Sequence, residues 1–352
     1  MAYTTINKST DYFNTKLYTG TGSAQSISSV GFQPDWVWGK NRSTTNFHAL
    51  YDAVRGSTKV LQSNTTTVEQ TFAQGLTSFD SDGFTVGTDG DLNGSGNNIV
   101  TWNWKANGQG SANTDGTINT TYTSANTTAG ISIIKYTGTG SNATIGHGLG
   151  VAPKMVMVKQ LSNTRDWSIY HKFTNPDGTG AQYYMHLNNS DARASNSAFW
   201  NNTDPTNQVV NLGSISNTNQ SSGTYIAYCF AEKTGFSKFG SYLGNGNDGD
   251  GSFIYTGFKP AFLMIKCTDT SGEHWHIHDT KRQTGNLNTG RYLLANTSDA
   301  ESTSTSYAVD IISNGFKART NNNSVNGSSK TYLYMAFGQS LVGSNNVPCT
   351  AR

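Results

Sequence analysis

Glu273-His274-Trp275-His276-Ile277-His278-Asp279 is the one stretch of this 352-residue chain with the makings of a metal site. Laid out as a strand, it projects His274, His276 and His278 from one face at about 7 Å intervals, so two of them could reach a zinc or nickel ion completed by a ligand from elsewhere. Matching positions in two similar segments hold Ala49 and Tyr51, then Ser168 and Tyr170, which instead reads the run as a partly exposed strand face. Asp89-Gly90-Asp91-Leu92-Asn93-Gly94 begins like a calcium loop, but the place of its bidentate carboxylate is taken by Val100. A glycine-rich turn is the better reading, there and at Asn247-Asp248-Gly249-Asp250-Gly251. Gly20-Thr21-Gly22 and Gly138-Thr139-Gly140 lack the Lys-Ser/Thr pair and following helix of a phosphate cradle and read as turns or bulges. No His-Glu-x-x-His, no Gly-x-Ser-x-Gly and no repeated carboxylate pair occurs, and the chain is read as a non-enzyme. Trp200, Tyr183 and Tyr184, set among Asn and Ser, are the aromatic residues placed to contact a sugar, with core packing as the competing explanation.

The elements that would position these residues recur along the chain. Lys16-Leu17-Tyr18-Thr19-Gly20-Thr21-Gly22 returns as Lys135-Tyr136-Thr137-Gly138-Thr139-Gly140 and again as Gly240-Ser241-Tyr242-Leu243-Gly244-Asn245-Gly246. Pro34-Asp35-Trp36-Val37-Trp38-Gly39-Lys40 returns as Pro153-Lys154-Met155-Val156-Met157-Val158-Lys159 and Pro260-Ala261-Phe262-Leu263-Met264-Ile265-Lys266. Successive prolines stand 119 and 107 residues apart, too far for a solenoid unit and right for a small domain. A closing aromatic strand follows at 99–104, 225–230 and 332–337. Asp82-Gly83-Phe84 and Asn314-Gly315-Phe316 signal hairpin turns, whereas 195–222, their counterpart in the middle, reads as polar loop.

Composition narrows the class. Only 13% of residues are charged, yet the chain keeps 7 Trp, 17 Tyr and 16 Phe, so it is ordered and rich in strands. Heptads and long helix-forming stretches are missing, which argues against a coiled-coil stalk. A net charge of +2 without a basic run gives no pull toward nucleic acid. No apolar stretch is long enough to span a membrane, and Met1-Ala2-Tyr3-Thr4-Thr5-Ile6-Asn7-Lys8 lacks the apolar core of a signal peptide, so synthesis in a cytoplasm is expected. Cys229, Cys267 and Cys349 are read as free thiols, with Cys229 buried in a closing strand.

The predicted fold is all-β: three tandem β-sandwich, jelly-roll-like domains of one repeated fold. An N-terminal arm over 1–15 precedes repeat 1 at 16–105. A Gly/Ser/Thr/Asn-rich linker over 106–129, with a possible edge strand at 117–122, leads to repeat 2 at 130–232, and repeat 3 fills 233–352. Each copy is expected to bury its own core, with Leu50, Ile169 and Ile277 facing it.

Gly31-Phe32-Gln33-Pro34-Asp35-Trp36-Val37-Trp38, Leu50-Tyr51-Asp52-Ala53-Val54-Arg55-Gly56, the run from Leu76 to Gly87 and the Tyr-Thr-Gly-Thr-Gly opening look like a repeat domain of virion structural proteins in marine tailed phages, especially cyanophages. Tyr255-Thr256-Gly257-Phe258-Lys259-Pro260-Ala261-Phe262 and the stretch from Ala336 to Arg352 resemble the same proteins. The resemblance brings no catalytic residues and no cofactor. It implies a structural protein on the particle surface, either a tail fibre or tail-tip adhesin that binds host surface glycan, or a head decoration protein. Its partners would be capsid or tail proteins, in a homo-oligomer for which a trimer is favoured. A polysaccharide depolymerase is the alternative from another class.

Overall fold

The computed structural model describes residues 4–283, 285–286 and 290–339; Met1–Tyr3 of the arm, Cys349 and the rest of the chain beyond Gln339 lie outside the described residues. The chain is all-β, as expected, and the marks are its strands. In repeat 1 the opening strand Phe13–Thr19 pairs with the closing strand Asn98–Trp104, which pairs with the proline strand Trp36–Asn41 and through it with Ala49–Asp52. Repeat 2 uses the same order, Ile131–Thr137, Thr224–Phe230, Met155–Gln160 and Ser168–His171. Repeat 3 repeats it with Ser237–Leu243, Thr331–Gly338, Pro260–Cys267 and His276–Asp279. All these pairings are antiparallel.

Because strand side chains alternate and both sets are apolar, each principal sheet buries both faces. The outer faces pack under smaller sheets within their own repeats: Val37, Tyr51 and Ile99 with Phe84 and Val86; Val156, Tyr170 and Tyr225 with Val210; Leu263, Ile265 and Tyr332 with Phe316. The inner faces meet one another. Trp36, Trp102 and Trp104, Met157, Tyr228 and Phe230, and Phe262, Met335 and Phe337 form one cluster, which also holds Leu50, Ile169 and Ile277. At its centre Trp36 stacks on Tyr228 at 4.8 Å, while the equivalent closing residues Trp104, Phe230 and Phe337 converge, Phe337 lying 5.6 Å from Trp104 and 6.1 Å from Phe230. The expectation that each copy buries its core alone is therefore corrected. A sandwich-like layer exists in every repeat, but the largest apolar core is common to all three.

The arm and linker take part in this packing. Ile6 is buried in the shared cluster, Tyr12 meets Phe236 edge-on and Phe13 stacks on Phe337, so the described part of the arm docks on repeat 3. Within 106–129, Tyr122–Asn126 extends the sheet of repeat 2 by pairing with Ile131–Thr137. That edge strand begins where the expected one, 117–122, ends, because Gly116 lies against the Thr144 backbone and Ile118 only bridges to Ile145. The expected polar loop at 195–222 holds the short helices Ser197–Trp200 and Ser216–Asn219 and the strand Val209–Leu212, which pairs with Ala143–Gly146. Repeat 2 thus completes its outer layer without the glycine hairpin of its neighbours.

Candidate functional site

The histidine run does not assemble a metal centre. Only His276 and His278 lie in the strand; Ile277 between them faces the shared core, and the two imidazoles point into the outer core of repeat 3. Their rings are nearly parallel at 6.5 Å, and Tyr307 lies 4.5 Å from His276. Neither nitrogen of His276 has a hydrogen-bond partner among the described residues. Burial holds His276 well below its usual range, and burial together with the Arg282 guanidinium lowers His278 to about 4, so both rings are neutral. His274 precedes the strand, and its Nδ1 is 2.8 Å from the Asn296 side-chain amide. Among the described residues no group of three His, Cys, Asp or Glu side chains converges, so the metal reading of His274, His276 and His278 is corrected: the strand begins too late to align the third ring.

The aromatic residues of repeat 2 are brought together, but as core. Tyr184 lies flat on Phe199 at 3.8 Å, and Phe199 leads to Trp200, which is 1% exposed. The helix Ser197–Trp200, capped by the Asn196 side chain, turns the Trp200 indole inward. That removes Trp200 as a ligand contact. Tyr184 is half-buried in this packing, and Tyr183 is half-buried with Arg193 over its ring at 5.3 Å.

The glycine openings are fixed from beneath by a buried asparagine in each repeat. Asn93 Oδ1 accepts from the Thr21 N–H at 2.8 Å, Asn219 from Thr139 at 2.7 Å and Asn326 from Asn245 at 3.1 Å. Their amides donate back to the same loops, at Ser23, Ser141 and Asn247. A Cβ at Gly20, Gly138 or Gly244 would stand 2.3 to 2.4 Å from a backbone carbonyl oxygen, so close approach of the two chain segments demands glycine there. Asp89, read as a calcium mimic, caps a helical turn through the Asp91 N–H. Sequence reasoning missed these asparagines, although each stands six residues before Ile99, Tyr225 or Tyr332 and the spacing was available to find them.

Fully buried charge sits where repeats meet. Lys40, Lys159 and Lys266, which end the proline strands, have no exposed surface, and each donates to a carbonyl of the preceding repeat in a closed circuit. Lys159 reaches Thr66 at 3.1 Å, Lys266 reaches Ser190 at 3.4 Å, and Lys40 of repeat 1 reaches Ser298 of repeat 3 at 3.2 Å. Desolvation lowers all three ammonium groups to about 8. A second set of contacts donates in the same direction at two of the seams. Asp52, paired with Arg55, accepts from Tyr228 of repeat 2 at 2.7 Å, and Asp279, paired with Arg282, accepts from the Trp102 indole of repeat 1 at 3.0 Å. At the remaining seam His171 stands in place of the aspartate and its Nε2 lies 3.3 Å from the Tyr334 carbonyl. Trp167 to Gln62 and Trp275 to His186, both 2.9 Å, and His48 to Leu294 at 3.0 Å make a third circuit of backbone-directed contacts. These buried groups hold repeats together; at the seam of repeats 2 and 3, His171 and Trp275 line a small cavity of about 10 Å³ with Met155, Met264 and Leu333.

Among the described residues two polar surface clefts stand out. One, of about 380 Å³ in repeat 2, is lined by Gln182, Ser195, Asn196, Ser197 and Asn202. The other, of about 430 Å³ in repeat 3, lies between the Asp248-Gly249 turn, Thr305-Ser306 and the segment Arg319 to Asn322.

Residues 8–340 match the model of a family described as a domain of unknown function, DUF7483. The chain belongs to this family. The matched stretch enters before the first opening strand and leaves after the last closing strand, so the DUF7483 unit is the whole ring of three repeats. No curated protein and no solved structure matches the chain.

Proposed function

We propose that this DUF7483 protein is a non-enzymatic structural component of a phage virion, made in the bacterial host cytoplasm and displayed on the particle surface. It would serve as a head decoration protein or as a tail fibre or tail-tip adhesin. The phage-like strings of its sequence motivate the reading, and the closed ring of three repeats is the observation that carries it. A chain that builds threefold pseudosymmetry internally offers three related faces to one partner, which suits the threefold and quasi-threefold environments of capsids and trimeric tail parts. Its seams are sealed by buried tryptophan, lysine and aspartate contacts instead of disulfides, as a protein facing the extracellular medium without cystine would require. The trimer favoured from sequence would then be an assembly of such rings, formed through contacts outside the seams.

Quantitative mass spectrometry of purified particles, calibrated on the major capsid protein, tests this reading. Tens to hundreds of copies per particle support decoration, a handful supports a fibre or tip, and absence from particles overturns the proposal.

A further inference from the structure

At the turn after its glycine opening repeat 3 is longer than the other two, and there a cleft and exposed aromatic rings stand side by side. From the second glycine of the opening to the first buried isoleucine, Gly246 to Ile254 is three residues longer than Gly22 to Ile27 or Gly140 to Ile145. The added turn, 247–251, is rigidly built: Asn247 Oδ1 accepts from the Gly249 and Asp250 N–H groups, the Asn245 amide donates to the Asp250 carbonyl, and Asp250 pairs with Lys317. It forms one wall of the 430 Å³ cleft, within the size range of small-ligand sites. The opposite wall is fixed by Thr320 Oγ1 donating to the Ser306 carbonyl and by Arg319 Nε pairing with Asp310. Asp248, Thr305, Arg319 and Asn321 line the cleft, and their side chains bring hydrogen-bond donors and acceptors together there.

The strand that follows the turn, Phe253–Tyr255, is the edge of its sheet, and its outward side chains are Phe253, 50% exposed, and Tyr255, 60% exposed. Leu243, 62% exposed, borders them, since its carbonyl accepts from Ser252 Oγ. The equivalents are Ser26 and Ser28 in repeat 1 and Thr144 and Gly146 in repeat 2, with Thr19 and Thr137 for Leu243. Phe253 pairs with Lys317, so Arg319, two residues further on, emerges on the same side about 7 Å away. Aromatic faces and cleft therefore form one continuous surface. Three apolar side chains fall far short of the about 20 to 30 residues that a stable protein interface uses on each side, and free hydrogen-bonding groups of both kinds suit a small polar ligand better.

We infer that this face of repeat 3 binds an oligosaccharide, with hydroxyl groups of one sugar held in the cleft by Asp248, Asn321 and Arg319 and the C–H face of the next laid on Phe253 or Tyr255. The inference rests on the proposed surface display only for the origin of the glycan, and binding is measurable without it. The full chain would be applied to an array of bacterial capsular and O-chain polysaccharides together with hexasaccharides of glucose, mannose and N-acetylglucosamine. The expected result is retention on at least one glycan, weakened at least tenfold by Arg319→Ala and by the double change Phe253→Ser, Tyr255→Ser, which copies the side chains of repeat 1. Gln182→Ala in the other cleft leaves binding unchanged. Thermal unfolding confirms that each variant is folded. No retention on any glycan, or retention indifferent to the repeat 3 variants, overturns the inference. A chain present on particles but without glycan binding removes this inference alone, and a glycan-binding chain missing from particles removes only the virion reading.

Discussion

The seams between repeats and the outer layers of the same repeats are built from one duplicated module, yet they have been shaped differently. At the seams the polar partners come round again: three lysines on backbone carbonyls, two aspartates receiving an aromatic donor, and a ring of Trp or His directed at the next backbone. In the outer layers the asparagine under each glycine opening is kept, together with a tyrosine hydroxyl donating to the carbonyl just before it, while the covering sheets differ, three-stranded at Phe84 and Phe316 but two-stranded at Val210. A seam residue must fit two repeats at once, and an unpaired buried charge there is expensive, so its variation is confined. A loop residue need satisfy only its own repeat, so the third copy could acquire a longer turn and exposed rings.

The strongest way to break this contrast is to strip one seam of its acid. Asp279→Ala takes from Arg282 one of its two buried carboxylate partners, leaving Glu301, and takes from the Trp102 indole its acceptor, so it is expected to cost about 3 kcal/mol. Because the core is shared, urea unfolding followed by tryptophan fluorescence should remain a single transition at lower denaturant. A separate early transition confined to repeat 3 would show that the repeats are independent after all. His171→Ala, which deletes an imidazole contact and no charge pair, should cost only about 1–2 kcal/mol.

Acid provides a second test. His171 and His278 are both held at about 4 by burial, with Arg282 adding to the effect on His278. Depressed values mean that the unfolded chain takes up protons first, so the stability these rings contribute is complete above about pH 6.5 and is lost as pH falls toward 4, by about 3 kcal/mol each. The melting temperature should drop through that window, and His171→Gln should flatten the drop. The seam between repeats 3 and 1 has no linker, and there Glu301 receives Arg42 at 2.7 Å and Arg282 and Arg291 at 3.0 Å. Burial opposes ionisation of Glu301, but the arginines prevail and hold it at about 2, so its share of stability persists to about pH 4.5 and fades only below that. Glu301→Gln should cost about 2 kcal/mol at neutral pH, measured by chemical denaturation.

In the outer layers, Asn219→Ala frees the Thr139 N–H and should cost about 1–3 kcal/mol, with faster amide exchange confined to the loops around Gly138 and Gly223. The smallest signal concerns the lysines. Lys40, Lys159 and Lys266 should resist acylation by a soluble active ester while exposed lysines such as Lys8 react, as peptide mapping would record; equal labelling would show that the seams open freely.

Much of this architecture was legible in the residues. The apolar run Trp36-Val37-Trp38 and its two counterparts placed strands, alternation in the strand that follows put Leu50, Ile169 and Ile277 on one core face, and the glycine pairs of the openings marked turns. The candidate sites were less legible. Trp200 looks surface-bound among Asn and Ser, but a four-residue helix turns it inward; His274 looks aligned with His276, but the strand starts after it. Short polar segments carry little periodicity, so neither local turn could be foreseen.

By itself the sequence determined that three copies of an all-β module would form, since strand period, turn glycines and aromatic spacing are local properties. It also determined that both faces of each principal sheet would be apolar. Which of those faces met the other repeats was decided only in the tertiary structure, through contacts such as Trp102 with Asp279 and Lys40 with Ser298, residues 177 and 258 positions apart. Alternation specifies two buried sides without saying what covers either one, and closing three sheets around a common core is a choice made between distant segments at once.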